Sequence, residues 1–197
     1  MTSRRRYLTF ALSAALLPMP LFPVRAFADA GKVPSVAEHA KRWGSDSVEG
    51  RFVERRRIAG FPKPLKSEGR FSINRTSGAR WMTEKPFAST LIIDKSGMRY
   101  ESASSNNSVS AGNVPAVGRL GDFMQGVFAG DLEMLEGVFT LTVSGTNPVT
   151  VTAEPKAGTF DTLSRIEITG RDSVEKIVMT SPTGDITELE LLDVVKR

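Results

Sequence analysis

From Leu65 to Arg75 the chain alternates with period two, and its two faces differ. Lys66, Glu68, Arg70, Ser72 and Asn74 make an ordinary solvated strand face, while Leu65, Ser67, Gly69, Phe71, Ile73 and Arg75 make the other. Arg75 thus continues a face that carries Phe71 and Ile73, where a guanidinium is costly unless a fixed acceptor takes its hydrogen bonds. Two readings stay open. It is a strand-end arginine reaching water beside the turn Thr76-Ser77-Gly78, or a positioned donor inside an apolar concavity.

Similar patterning predicts strands at 48–59, 79–83, 89–94, 98–103, 138–143, 149–153, 163–169, 174–180 and 186–194. Turn chemistry separates the later ones, at Pro155-Lys156-Ala157-Gly158, Gly170-Arg171-Asp172 and Pro182-Thr183-Gly184-Asp185. Thr90-Leu91-Ile92-Ile93 is apolar on both faces, which predicts cover from both sides. Ser102–Asn113 reads as a Ser/Asn-rich loop.

Elsewhere the period becomes helical. Ser35 and Glu38 have capping-box spacing, Val36, Ala40 and Trp43 share a face, and Gly44 ends the helix. Between Pro115 and Phe128, Val117, Leu120, Met124, Val127 and Phe128 fit a second helix. Asp131 is placed to cap a short third one, with Leu132 and Leu135 and an end at Gly137. Short strands joined by hairpin-length turns predict an α+β fold, a strongly curved antiparallel sheet whose helices can cover one face or opening.

At 197 residues the chain is one domain by length. Residues 1–28 read as a signal peptide, with a basic start, an apolar middle broken by Pro18, Pro20 and Pro23, and a small-residue cleavage site at Ala26-Phe27-Ala28. The expected mature domain is 29–197, delivered to the periplasm. Arg4-Arg5-Arg6 also fits a twin-arginine signal, but an ordinary secretory leader is the favoured route. This leader removes Arg4, Arg5, Arg6 and Arg25 and no acid, so the 26 basic residues fall to 22 against 22 acidic ones. The basic balance therefore gives no reason to expect nucleic acid as a partner.

Without cysteine there are no disulfides and no acceptor for a lipid at the cleavage site. His39 is the single histidine and fits a surface or packing role. With no nucleophile elbow, metal spacing or set-apart carboxylate pair, the chain is not expected to be an enzyme, and neither a cofactor nor a metal is expected. Arg55-Arg56-Arg57 reads as a solvated basic strand edge, with docking of an acidic partner or anionic lipid the sharper alternative.

Ser67-Glu68-Gly69, Phe71, Arg75, Trp81 and Pro86 together resemble the core motif of the LolA family of periplasmic outer-membrane lipoprotein carriers. The resemblance takes in Phe52-Val53-Glu54 upstream. Downstream it runs through Gly130-Asp131-Leu132 to Phe139, Ile166–Gly170 and Gly184–Thr187, and so covers about Val36 to the C-terminus. The later motifs look closest to a LolA-like subgroup. Two positions depart from the pattern: Glu54 stands where glutamine is usual, and Thr76 where proline often follows the arginine.

The resemblance implies an unclosed β-barrel with a helical lid over an apolar cavity for acyl chains. Phe52, Phe71, Ile73, Trp81, Leu91, Ile93, Phe139 and Leu141 would line the cavity, and Leu120, Met124, Val127, Phe128, Leu132 and Leu135 would form the lid. Met82, Met98, Met124 and Met134 would suit such a cavity. Arg75 would latch the lid by hydrogen-bonding its backbone. The implied partners are an acylated lipoprotein or a lipid or glycolipid cargo, an inner-membrane exporter complex and an outer-membrane acceptor, with the carrier itself a monomer. A lipid-sensing or protein-docking module of the same fold is the rival reading.

Overall fold

The structure is a computed structural model, and it describes residues 36–94, 96–103, 106–110 and 126–197. Helix α1 (Val36–Trp43) is followed by β1 (Ser47–Arg57), β2 (Leu65–Asn74), β3 (Gly78–Lys85), β4 (Ser89–Asp94), β5 (Gly97–Ser102) and β6 (Asn106–Ser110). Residues 126–129 are helical, and a 3-10 turn spans Glu133–Gly137. Then come β7 (Phe139–Ser144), β8 (Val149–Pro155), β9 (Arg165–Gly170), β10 (Val174–Thr180) and β11 (Ile186–Lys196).

All the described strands join one eleven-stranded sheet in the order β6-β5-β4-β3-β2-β1-β11-β10-β9-β8-β7. Each described pairing is antiparallel. The first and last strands meet at the centre, Phe52 opposite Leu191 and Arg57 opposite Ile186. Two meanders run outward from that seam, and β6 and β7 are left as the edges of an unclosed sheet.

Alternation puts Phe52, Phe71, Ile73, Ala79, Ile93, Val151, Ile166, Ile168, Ile177, Leu189 and Leu191 together in one buried cluster on the inner face. The outer face carries ion pairs such as Arg55–Glu190 (2.9 Å), Arg165–Glu154 (2.9 Å) and Lys176–Glu188 (3.4 Å). The arginine run at 55–57 therefore does not form a sheet edge. β1 lies between β2 and β11, so Arg55 points outward to Glu190 and Arg56 points inward. Ile92 and Ile93 are both buried, as the doubly apolar β4 predicts; on the outer face Arg80 and Arg99 flank Ile92 in register.

The segment 126–137 plugs one end of this trough. Val127, Phe128, Leu132 and Leu135 are buried in the same cluster as the inner face. Leu120 and Met124, the other expected lid residues, lie outside the described residues, as does most of the predicted 115–128 helix. Helix α1 closes the same end. Trp43 is buried and donates from Nε1 to the Arg171 carbonyl at 3.1 Å. Lys196 donates to the Arg42 and Asp172 carbonyls at 2.8 and 2.7 Å, a cation at the end of α1 where unpaired carbonyls gather.

Three local expectations need correction. Part of the predicted 102–113 loop is strand β6: its serines and asparagines are poor strand formers, but the backbone of β5 supplies the pairing. Asp131 does not cap the third helical turn. Leu132 holds that position with no side-chain cap, and Asp131 instead donates its backbone N–H to the Gly126 carbonyl at 2.8 Å. Strand β2 stops at Asn74, whose Oδ1 takes the Thr76 and Ser77 N–H groups at 2.9 and 3.0 Å. Arg75 therefore sits in the turn, beyond the apolar face.

Gly69 is what lets β2 lie flat beneath Phe52. A Cβ there would come within 1.9 Å of the Met82 carbonyl oxygen and 2.9 Å of the Phe52 ring. Gly69→Ala is expected to destabilise the protein by roughly 1–3 kcal/mol, the usual range for overpacking, measured by urea unfolding. A loss of only a few tenths would mean that the β2–β3 pairing adjusts freely.

Candidate functional site

The inner face is partly filled and partly hollow. Aromatic packing does the filling. Phe52 lies 4.6 Å from Trp81, Trp81 lies 5.3 Å from Phe71, and Phe71 lies 6.1 Å from Phe128 of the lid, between ring centroids. Beyond this stack is a cavity of about 230 Å³. Ala79 and Trp81 of β3, Leu91 and Ile93 of β4, Ile166 of β9, Ile177 and Met179 of β10, and Thr187 and Leu189 of β11 line it. Phe160 and Leu163, from the β8–β9 loop, close one side. Phe160 is held there by stacking on Phe139, with centroids 5.2 Å apart.

A second chamber of about 380 Å³ shares Phe160, Leu163, Met179 and Thr187 with the first. It is more polar, with Arg56, Thr162, Thr180, Ser181 and Asp185 joining Met98 in its wall. Register places Arg56, Thr180 and Thr187 at the end of the sheet opposite the lid, where β1 finishes, β11 begins and β10 turns back, while Met98 is in line with Ile93 and Ala79. An apolar inner chamber thus adjoins a more polar outer one.

Trp81, Leu91 and Ile93, three of the eight residues the resemblance assigns to an acyl-chain cavity, lie in the wall of this hollow. Phe52, Phe71 and Ile73 do not, because they are spent on the packed stack and on contacts beneath the lid. Phe139 braces Phe160 from behind, and Leu141 is half-buried against the core away from the hollow. Met98 reaches the outer chamber, whereas Met82 is paired with Arg70 and Thr90 in register and lies on the opposite face from Trp81. Met124 and the Met134 side chain lie outside what is described.

Ile166, Ile177 and Leu189 were legible as inward positions of alternating strands. Phe160 and Leu163 were not, since a loop has no period. Glu54 shares the parity of Phe52, and that signal was present in the sequence.

Arg75 lies at the rim of the plugged end. Its side chain is 58% exposed and its Nε is 3.7 Å from Asp46 Oδ1. Its Nη2 donates to the Ala129 carbonyl at 3.4 Å, and the Ser45 N–H donates to the neighbouring Phe128 carbonyl at 3.2 Å. Those carbonyls close the helical segment 126–129 and have no partner inside it, so the contacts satisfy a helix C-terminus from outside. Gly44 permits the approach, because a Cβ there would meet the Ala129 oxygen at 2.7 Å.

Glu54 is the one carboxylate in the wall of the inner chamber. Among the described residues its carboxyl makes no hydrogen bond or ion pair. Burial among apolar neighbours pushes it above the usual carboxylate range, and the nearby Arg56 guanidinium pulls it partly back. No group of three or more His, Cys, Asp or Glu that could hold a metal ion occurs among the described residues.

No protein-family model matches the chain, and no curated protein does. Solved structures do resemble it. A LolA superfamily protein from Nitrosomonas europaea is 10% identical, with 85% of this chain and 94% of that one covered and a TM-score of 0.49. An outer membrane lipoprotein-sorting protein domain from Vibrio parahaemolyticus is 14% identical, over 81% and 90% of the two chains, with a TM-score of 0.45. The lipoprotein LppX from Mycobacterium tuberculosis is 12% identical, over 81% and 94%, with a TM-score of 0.41. These are likenesses of fold, and no residue role passes from them to this chain.

The raised Glu54 value makes a signed prediction. Its share of stability is fully present below the unfolded carboxylate range and is lost as pH rises through the folded value. Glu54→Gln should therefore melt above the wild type at neutral pH, with the gain vanishing below about pH 4. Thermal melts across that range test it, and a gain independent of pH would assign the effect to packing.

Proposed function

We propose that this chain is a periplasmic carrier that takes the acyl part of a lipoprotein, lipid or glycolipid into the inner chamber and shuttles it from the inner toward the outer membrane. The observation that carries this reading is the hollow itself: an apolar cavity of about 230 Å³ on the inner face, adjoined by a more polar vestibule of about 380 Å³. A residual hollow in an otherwise packed sheet is a natural place for hydrocarbon. An exporter in the inner membrane and an acceptor at the outer membrane are the partners this role requires.

Energetics explain the lid. Each buried methylene contributes about 0.8 kcal/mol, so a long chain offers roughly 10 kcal/mol before ordering costs. Capture is then easy and release hard. A self-filled closed state that competes with ligand brings the two near balance. The buried Val127, Phe128, Leu132 and Leu135 are that filling, and Arg75, bonded to the Ala129 carbonyl, helps to hold it in place.

Protein purified from the periplasm without detergent is expected to release a stoichiometric acylated species in lipid mass spectrometry. Met179→Trp and Thr187→Trp, at the junction of the chambers, should weaken binding of a fluorescent acyl probe by about tenfold or more, 1.4 kcal/mol, without lowering the melting temperature. Clean apo protein that also ignores the probe would overturn the reading in favour of a docking module with a solid core.

Arg75→Leu removes two exposed side-chain contacts, to Asp46 and to the Ala129 carbonyl, and should cost no more than about 1 kcal/mol of stability. By weakening the closed state it should raise probe affinity by up to about fivefold. Unchanged affinity and release would reduce Arg75 to a rim cation.

A further inference from the structure

Glu54 and Arg56 lie two residues apart on the inward side of β1, about 7 Å along the strand. They fall in different chambers. Glu54 is in the wall of the inner chamber and not the outer; Arg56 is in the wall of the outer chamber and not the inner. Neither makes a hydrogen bond or ion pair with any other described residue, although Arg55 beside them pairs with Glu190. Asp185, the carboxylate that shares the outer chamber, already accepts the Ala59 N–H at 2.9 Å. A carboxyl among apolar neighbours, with no hydrogen bond from any described residue and only the Arg56 charge nearby, works against folding, and a core of apolar residues would not need one.

We propose that Glu54 and Arg56 read the polar end of the cargo, and that the cargo is an acyl amphiphile with a hydrogen-bond donor next to its chain and an anionic group one step beyond. This rests on the carrier reading of the same cavity and names its ligand class. The chain fills the inner chamber toward Trp81, with its end away from the vestibule. A hydroxyl or amide N–H beside the chain donates to a Glu54 carboxyl oxygen, which accepts in either protonation state. The phosphate or carboxylate reaches the outer chamber, where the Arg56 guanidinium pairs with it and the Thr162, Thr180 and Ser181 hydroxyls stand by. The order along β1 sets the direction of insertion: the anion lies beyond Glu54, toward solvent, where repulsion between the two negative groups is screened. At about 230 Å³ the inner chamber lies below the roughly 300–1,000 Å³ of drug-sized pockets, so in this state it has room for part of one chain and not for two.

Three single-chain probes, each used below its critical micelle concentration, separate the parts. Palmitoyl lysophosphatidylglycerol carries donor and anion, monopalmitoylglycerol the donor alone, and hexadecyl sulfate the anion alone. Titration calorimetry on the wild-type protein should show the first binding about tenfold tighter than either of the others. Arg56→Gln should erase its advantage over monopalmitoylglycerol, and Glu54→Leu its advantage over hexadecyl sulfate, with melting temperatures equal to or above that of the wild type. Glu54→Gln, which keeps a hydrogen-bond acceptor, should retain most of that second advantage. If all three probes bind alike, or the variants leave their order unchanged, the pair is internal charge compensation and this inference fails while the carrier reading stands. If none binds the wild type, the carrier reading falls and this inference falls with it.

Discussion

A long antiparallel sheet with one apolar face cannot leave that face in water, and most of this structure follows from how the face is covered. The two meanders meet at the β1–β11 seam and curve, so that the inner side chains of β3 and β4 come to share a cavity wall with those of β9, β10 and β11. Curvature alone leaves a trough. The stretch between β6 and β7 has to pass from one edge strand to the other, and its described residues 126–137 lie in the trough. The connection that the topology requires is thus also the plug.

Coverage is uneven, and the reason lies in side-chain volume. Phe52, Phe71, Trp81 and Phe128 pack ring on ring and leave little space at the lid end. The other inward positions of the cavity wall, Ala79, Ile93, Ile166, Ile177 and Leu189, are aliphatic and smaller, and the hollow is there. The outer face takes no part in this. Its ion pairs are exposed and individually worth little, but their alternation with the inward apolar positions pins the register, since a one-residue slip would bring Arg55 and Lys176 inside.

Strand alternation carried most of the fold in the sequence: β4 and β10 fall where the pattern puts them, and β2 departs by a single residue. That residue matters. Period two places Arg75 on the apolar face, whereas the Asn74 side chain ends the strand by capping the next turn and turns Arg75 onto the rim. A pattern cannot see a turn that a neighbouring side chain imposes. It also could not tell which apolar residues fill and which ones line, because Phe52 and Trp81 share a face and differ only in what packs on them. Strand β6 was hidden for another reason: an edge strand of serine and asparagine is held by its partner's backbone, and its own composition gives no strand signal. Glu54 was visible as an inward acid, yet only the structure shows its neighbours to be apolar.

A carrier of the proposed kind faces a conflict between holding and letting go, and the division of labour along β1 bears on it. Hydrocarbon burial is indifferent to identity and grows with chain length, so the cavity alone would bind any acyl chain and release it slowly. A polar reader at the mouth changes the balance without adding much grip. Glu54 and Arg56 have to be stripped of water to engage a headgroup, which offsets much of the energy they return. Their net contribution is therefore discrimination more than affinity. The lid supplies the complementary half by competing for the trough from the far end through Phe128 and Leu132. Selection at one end and displacement at the other can then be tuned separately, because Glu54 and Arg75 lie toward opposite ends of the same sheet and share no partner among the described residues.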